Sequence, residues 1–126
     1  MYATVKDFVL RIGEFQAIQL TDRDREGVVN ESVLTIALSD STSQIDGYLS
    51  ARYRLPLPTI PQNLTRICCD LTRYRLASMS EVTITDEIIT RYKLSLKELE
   101  DLAAGKISLG IEIEDEQQSD GNVVMF

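Results

Sequence analysis

The stretch that decides the fold reads TDEIITRYKLSLKELEDLAAG and covers residues 85–105. Five apolar residues recur there at steps of three and four: Ile89, Tyr92, Leu96, Leu99 and Ala103. This spacing places them on one face of an α-helix. Thr85 is a favoured N-cap residue, acidic residues follow in the first turn, and Gly105 is typical of the position just past a helix end. We therefore predict a helix over residues 86–104 that packs against other helices.

The same helical spacing extends over most of the chain. It predicts helices around residues 4–12, 31–52 and 62–77, and a short helical turn at 14–19. Thr4 and Asn30 are the expected N-caps, and the prolines make residues 55–61 a rigid connector. The side chains expected to be largely buried are Ile45, Leu49, Ile67, Leu71, Tyr92 and Leu99. We predict a mainly α fold, a bundle of about four helices, in a single domain over residues 1–113.

The pattern changes after Gly105. Residues 106–113, KISLGIEI, alternate apolar with small or polar residues, which predicts a short strand-like segment. Because a single strand cannot pair with itself, we expect another chain to supply its mate. The candidates for this subunit interface are Ile107, Leu109, Ile111 and Ile113. Residues 114–126 are acidic, then polar, and end in VVMF. They are predicted to form a flexible tail, whose apolar end either frays or acts as a docking peptide.

A motif of arginine, tyrosine, a basic residue and leucine occurs three times, beginning at Arg52, Arg73 and Arg91. We expect each of its tyrosines to lie on a helix. One interpretation is ordinary amphipathic design, in which the basic side chains cover the edge of the apolar face. In the other, the arginines face a partner surface or a phosphate backbone. Arg52, Arg54 and Arg73 are therefore further interface candidates.

Composition argues against several classes of function. The 126 residues carry a formal net charge of −7, whereas a freestanding DNA-binding domain usually has the opposite balance. The chain has no histidine, the commonest general base and neutral metal ligand. Asp22, Asp24 and Glu26 resemble the opening of a calcium loop, but the twelfth position is Val33 instead of the bidentate glutamate. We expect no enzymatic activity, no metal and no cofactor, and a capped, solvated turn at this loop.

Two adjacent cysteines and the absence of long apolar runs bear on the compartment. Cys68 lies on a predicted apolar stripe, so a buried free thiol is the expected state, which suits a reducing cytosol. The first residues show no signal-peptide pattern, and no apolar run approaches the ~18 residues of a membrane span. We therefore expect no membrane partner.

Several of these segments, in their order and spacing, also resemble a known family. They are Met1-Tyr-Ala-Thr-Val, Ile18-Gln-Leu-Thr-Asp22, Ile45-Asp-Gly-Tyr-Leu49 with Ala51-Arg-Tyr53, Cys69-Asp70 with Arg73-Tyr74, and Ala104-Gly-Lys-Ile-Ser-Leu-Gly110. Together they resemble the Mu-like phage and prophage family typified by gene product thirty-six of phage Mu. That family in turn is similar to the small helical head–tail connector proteins of tailed phages, an analogy at the level of the fold.

The resemblance implies a structural protein without catalytic residues. It implies a ring of identical subunits at the virion neck, between the portal and tail-completion proteins, through which DNA passes without specific binding. The protein would then occupy the host cytoplasm during assembly and the neck of the finished virion. The alternative is a phage-encoded regulatory or DNA-associated helical module that uses Arg52, Arg54, Arg73 and Arg75. The acidic net charge argues against this alternative.

Overall fold

The computed structural model describes residues 1–111 and contains five α-helices in that part of the chain. They are α1 (Val5–Ile12), α2 (Glu14–Thr21), α3 (Glu31–Leu49), α4 (Gln62–Ser78) and α5 (Asp86–Ala104). The predicted mainly helical bundle is confirmed, and the expected turn at residues 14–19 is the short helix α2. None of the helices over residues 1–111 is long and apolar enough to cross a membrane.

Side-chain caps begin three of the five described helices, α1, α3 and α5, at the residues that the sequence predicts. Thr4 Oγ1 accepts a hydrogen bond from the Asp7 N–H at 3.0 Å, and the Asp7 carboxylate accepts one from the Thr4 N–H at 2.9 Å. The side chains of Asn30 and Thr85 likewise accept from the N–H groups three residues on. Each such cap is worth about 1 kcal/mol, so short-range interactions largely define where the helices start.

Helix α4 is the centre of the bundle. It packs against each of the other four helices, and α3 also packs against α5. The α1–α2 pair lies on α3 and α4 and does not contact α5. Five of the six side chains predicted to be largely buried are completely or almost completely shielded: Ile45, Leu49, Ile67, Leu71 and Leu99. The core is thus one continuous cluster around α4.

The buried face of α5 differs slightly from the predicted one. It is centred on Ile88, Ser95, Leu99 and Leu102, while Tyr92 is only partly buried. The ring of Tyr92 stacks on Tyr74 of α4 at a centroid distance of 3.9 Å, at the edge of the core. The small side chain of Ser95 takes the central position instead, because its hydroxyl donates to the Asp70 carboxylate on α4 at 3.2 Å.

The first arginine–tyrosine motif is not helical, so that prediction is wrong for Tyr53. Helix α3 ends at Leu49, and the Arg52 and Tyr53 N–H groups both donate to the Leu49 carbonyl, at 3.0 and 2.8 Å. The chain turns here because Pro56 and Pro58 cannot continue a helix and the next helix lies alongside α3.

The predicted strand is also wrong over residues 106–111. This segment forms turns: the Lys106 N–H donates to the Asp101 carbonyl at 2.9 Å, and Gly110 has a φ of +79°. Leu109 is 8% exposed and belongs to the chain's own core. Its N–H donates to the Tyr53 hydroxyl at 3.1 Å, which removes the need for a neighbouring strand there. Ile113 and the predicted tail, residues 114–126, lie outside the described residues.

Candidate functional site

Arg73, one of the predicted interface residues, bonds within the chain. Its Nε donates to Gln16 on α2 at 2.6 Å, and its two terminal nitrogens donate to the Glu87 carboxylate on α5, both at 3.1 Å. The Arg73 side chain is only 10% exposed. Through these hydrogen bonds Arg73 links α2, α4 and α5. They also supply the paired and hydrogen-bonded environment that a nearly buried guanidinium requires.

The electrostatics of this cluster centre on Glu87. The hydrogen bonds from Arg73 and then from Arg91, whose Nε lies 2.8 Å from the carboxylate, lower the pKa of Glu87 to about 2. The carboxyl therefore stays ionised over the whole physiological range. Its role is to neutralise Arg73, which would otherwise be buried without a counter-charge.

A second polar row joins α4 to α5 further along the same seam. Arg66 donates two hydrogen bonds to the Glu98 carboxylate, at 2.9 and 2.8 Å, and lies 3.9 Å from Asp70 on its own helix. Burial raises the pKa of the Asp70 carboxyl, and the hydrogen bond from Ser95 and the charge of Arg66 only partly oppose this. These groups fix how α5 sits on α4.

Arg52, Arg54 and Leu109, three other predicted interface residues, meet at one end of the bundle. They lie in or against residues 50–54, which we call the exit turn because the described chain ends beside it. The Arg52 guanidinium lies over Gly105, so closely that a Cβ at Gly105 would be 1.6 Å from Arg52 Nη1. Both arginines are exposed. Of the remaining candidates, Ile107 is 42% exposed and Ile111 packs against the core.

A cleft of about 380 Å³, which we call the N-terminal cleft, adjoins the exit turn. Its lining residues are Met1, Tyr2, Thr42, Asp46, Leu55, Pro56, Leu57 and Ile60. Sequence reasoning missed this cleft, although the alternation of leucine and proline at residues 55–58 was the available signal. The chain brings its first residues, the C-terminal half of α3 and the proline connector together here.

The polar groups of the cleft are satisfied among themselves. The Tyr2 hydroxyl donates to Asp46, and the Thr65 hydroxyl donates to the Tyr2 carbonyl at 2.8 Å. Burial raises the pKa of the Tyr2 hydroxyl, and the neighbouring Asp46 raises it further, so Tyr2 remains a neutral donor. The cleft therefore offers a mainly apolar wall, with Ile60 49% and Met1 53% exposed.

The cysteines and the acidic loop, which are the other potentially reactive groups, have structural roles. Cys68 is a buried free thiol, as predicted, and Cys69 is buried as well. Burial is the main cause that raises the pKa of Cys69 to about 12. The Asp22 carboxylate accepts from the Glu26 and Gly27 N–H groups, each at 2.8 Å, which makes the acidic loop the expected capped turn. Within residues 1–111, the acidic and cysteine side chains form no group of three or more that could hold a metal ion.

Large apolar side chains remain exposed on separate helices. Leu10 is 73% exposed in α1 and Phe15 is 77% exposed in α2, on either side of Gly13. Ile36 on α3 and Leu94 on α5 are 64% and 63% exposed. Isolated apolar residues are normal on a surface, and these four lie on four different helices.

The described fold defines a small, all-helical bundle protein tied together by arginine–carboxylate forks. Comparison with known proteins gives its family. The family described as Bacteriophage Mu, Gp36 matches residues 2–126. The chain is 38% identical over 98 residues to the Mu-like prophage FluMu protein gp36 of Haemophilus influenzae, covering 78% of this chain and 67% of that protein. It is 35% identical over 112 residues to gene product J of Escherichia phage Mu, covering 88% of this chain and 77% of that protein.

The chain therefore belongs to the phage Mu gp36 family and is a Mu-like phage protein. This confirms the resemblance seen in the sequence, which covers nearly the whole chain.

Proposed function

We propose that this protein is a structural component of the phage virion, a head–tail connector or adaptor that completes the head. In this role it forms a ring of identical subunits at the neck, between the portal and the tail-completion proteins. It acts without catalysis, assembles in the host cytoplasm and remains in the virion neck. Membership of a Mu-like phage family supports a phage role, and the helical bundle agrees with the connector analogy.

The observation that carries the proposal is the exposure of large apolar side chains both on the α1–α2 pair and on α5, which do not contact each other. Phe15 and Leu10 lie on the α1–α2 pair, and Leu94 lies on α5. A ring requires every subunit to offer two different surfaces, one to each neighbour. Apolar side chains on two separate elements provide such a pair of contacts.

The charge distribution favours a connector over a DNA-gripping module. At least two of the four arginines that a DNA-associated module would use are engaged within the chain: Arg73 bonds Gln16 and Glu87, and Arg75 donates to Gln44 at 2.8 Å. With a formal net charge of −7, the protein repels the phosphate backbone. Such a surface suits a conduit through which DNA must slide.

The first test is removal of the gene from the phage or prophage that carries it. We expect filled heads and separate tails in electron micrographs of the lysate, with joined particles restored by the wild-type gene. A cryo-EM map of the neck should then show the helical bundle as a ring. Infectious, joined particles that lack the protein would overturn the proposal.

The second test concerns the ring surface. Phe15→Asp places a charge where an apolar contact is expected, so we expect loss of joined particles while helical circular dichroism and melting are retained. Phe15→Leu, which keeps an apolar side chain at the same position, is the matched control and should support assembly. Normal assembly with Phe15→Asp would show that this surface is not an interface.

A further inference from the structure

The described chain ends beside the exit turn. Leu109 is held there by the hydrogen bond from its N–H to the Tyr53 hydroxyl, and Ile111 packs against the core. Fifteen further residues, 112–126, follow Ile111 in the sequence. Fully extended, they reach about 50 Å, at roughly 3.3 Å per residue, which is more than enough to cross this end of the bundle.

The start of this segment and the exit turn have opposite charges. Residues 112–116 read EIEDE and carry four carboxylates. The exit turn carries the exposed guanidinium group of Arg52, which lies over Gly105, and Lys106 is the next residue after Gly105. Opposite charges attract each other at short range here, because solvent ions screen exposed charges beyond about 10 Å.

The N-terminal cleft begins where the exit turn ends. Its lining residue Leu55 lies two positions after Tyr53, and Leu57 and Ile60 continue the same wall. The far part of the 112–126 segment is the apolar run Val123-Val-Met-Phe126. An apolar peptide fits this wall because the polar groups of the cleft, Tyr2 and Asp46, already bond each other.

We propose that the N-terminal cleft binds residues Val123–Phe126 of the same chain, with the acidic residues 112–116 lying along the exit turn. The tether makes this contact intramolecular, at an effective concentration on the order of millimolar, so even a weak apolar contact is populated. The cleft is then an internal docking site for an acidic–apolar peptide. This contact does not depend on the connector role.

The chain offers a clean probe because it contains no tryptophan. In the full-length Phe126→Trp variant, we expect a blue-shifted emission maximum and several-fold weaker quenching by acrylamide than for a solvent-exposed indole. Adding Ile60→Asp, which charges the cleft wall at a half-exposed position, should abolish this protection. The matched control is Ile36→Asp, another exposed isoleucine that lies outside the cleft and should leave the protection intact.

Two further measurements on the Phe126→Trp variant separate the alternatives. Arg52→Glu reverses one charge of the exit turn and should increase the quenching of the introduced indole without loss of helical circular dichroism. Dilution over a hundredfold range should leave the emission unchanged, because the docking is within one chain. An unprotected indole, or equal protection with and without Ile60→Asp, would overturn the proposal. Protection that disappears on dilution would also overturn it, by assigning the cleft to the segment of a neighbouring copy.

Discussion

At the scale of the residue, Arg73 and Glu87 show how this protein places charge. Arg73 is almost buried, while Glu87 is 53% exposed, so the pair lies at the boundary of core and solvent. The fork between them supplies the counter-charge that makes the burial of Arg73 tolerable. At this position the arginine of the motif therefore has a structural role within the chain.

This pair makes stability depend on pH. Because the pKa of Glu87 is about 2 in the folded chain, below its ordinary value of 4.5, its contribution is complete above pH 4.5. It is lost as the pH falls from 4.5 through 2. Since Glu87 is half-exposed, solvent limits the contribution to about 1 kcal/mol or less. We expect Glu87→Gln to lower the free energy of unfolding at pH 7 and to flatten its decline below pH 4.5.

Urea denaturation at a series of pH values measures this effect. Glu100→Gln, at an exposed glutamate on the same helix, is the control and should leave the free energy of unfolding at pH 7 almost unchanged. Parallel profiles for wild type and Glu87→Gln between pH 4.5 and 2 would contradict the assigned role of the pair.

At the scale of the element, α4 is the central helix of the bundle. It contacts every other helix, and Leu64, Ile67, Leu71 and Leu76 are at most 1% exposed along its length. A cavity on this helix therefore weakens contacts with several elements at once. Helix α5 meets it through both the Ser95–Asp70 hydrogen bond and the fully buried Leu99.

Truncating this interface should be costly. We expect Leu71→Ala and Leu99→Ala each to lower the free energy of unfolding by roughly 2–5 kcal/mol, from lost burial and the cavity that remains. Urea melts followed by circular dichroism measure this. Leu94→Ala on α5 is the matched control, since Leu94 is 63% exposed and its loss should cost little. A neutral result at Leu71 or Leu99 would show that the core is assigned wrongly.

At the scale of the whole molecule, acidic side chains dominate the surface. The chain has 20 acidic and 13 basic residues, and several of the bases are held in ion pairs with its own carboxylates. Phosphate binding depends on clustered, available positive charge and the release of counterions. This balance disfavours binding to the phosphate backbone.

We therefore expect weak or undetectable binding to duplex DNA at physiological salt. Fluorescence anisotropy with a labelled duplex, repeated over a range of salt concentrations, measures this. A double Arg52→Glu and Arg54→Glu variant should behave like the wild type. A submicromolar, salt-sensitive affinity that this variant loses would favour the DNA-associated module instead.

Helix positions were predictable because the interactions that define them span three or four residues. Thr4, Asn30 and Thr85 cap their helices through the N–H groups three positions on, and the apolar spacing marks the faces that pack together. The family could also be recognised from the order and spacing of short segments. Both features can be read from short stretches of the sequence.

Tertiary contacts decided the rest. The hydrogen bond from Leu109 to Tyr53 joins residues 56 positions apart, and it turns a predicted strand into a segment held on its own bundle. The bond from Tyr2 to Asp46 joins residues 44 positions apart and shapes the cleft. An alternating apolar pattern indicates only that one face of the segment must be buried. That face can be buried by the chain's own helices or by another molecule. Which of the two buries it depends on the surface that the folded bundle leaves exposed, and a local sequence pattern does not contain this information.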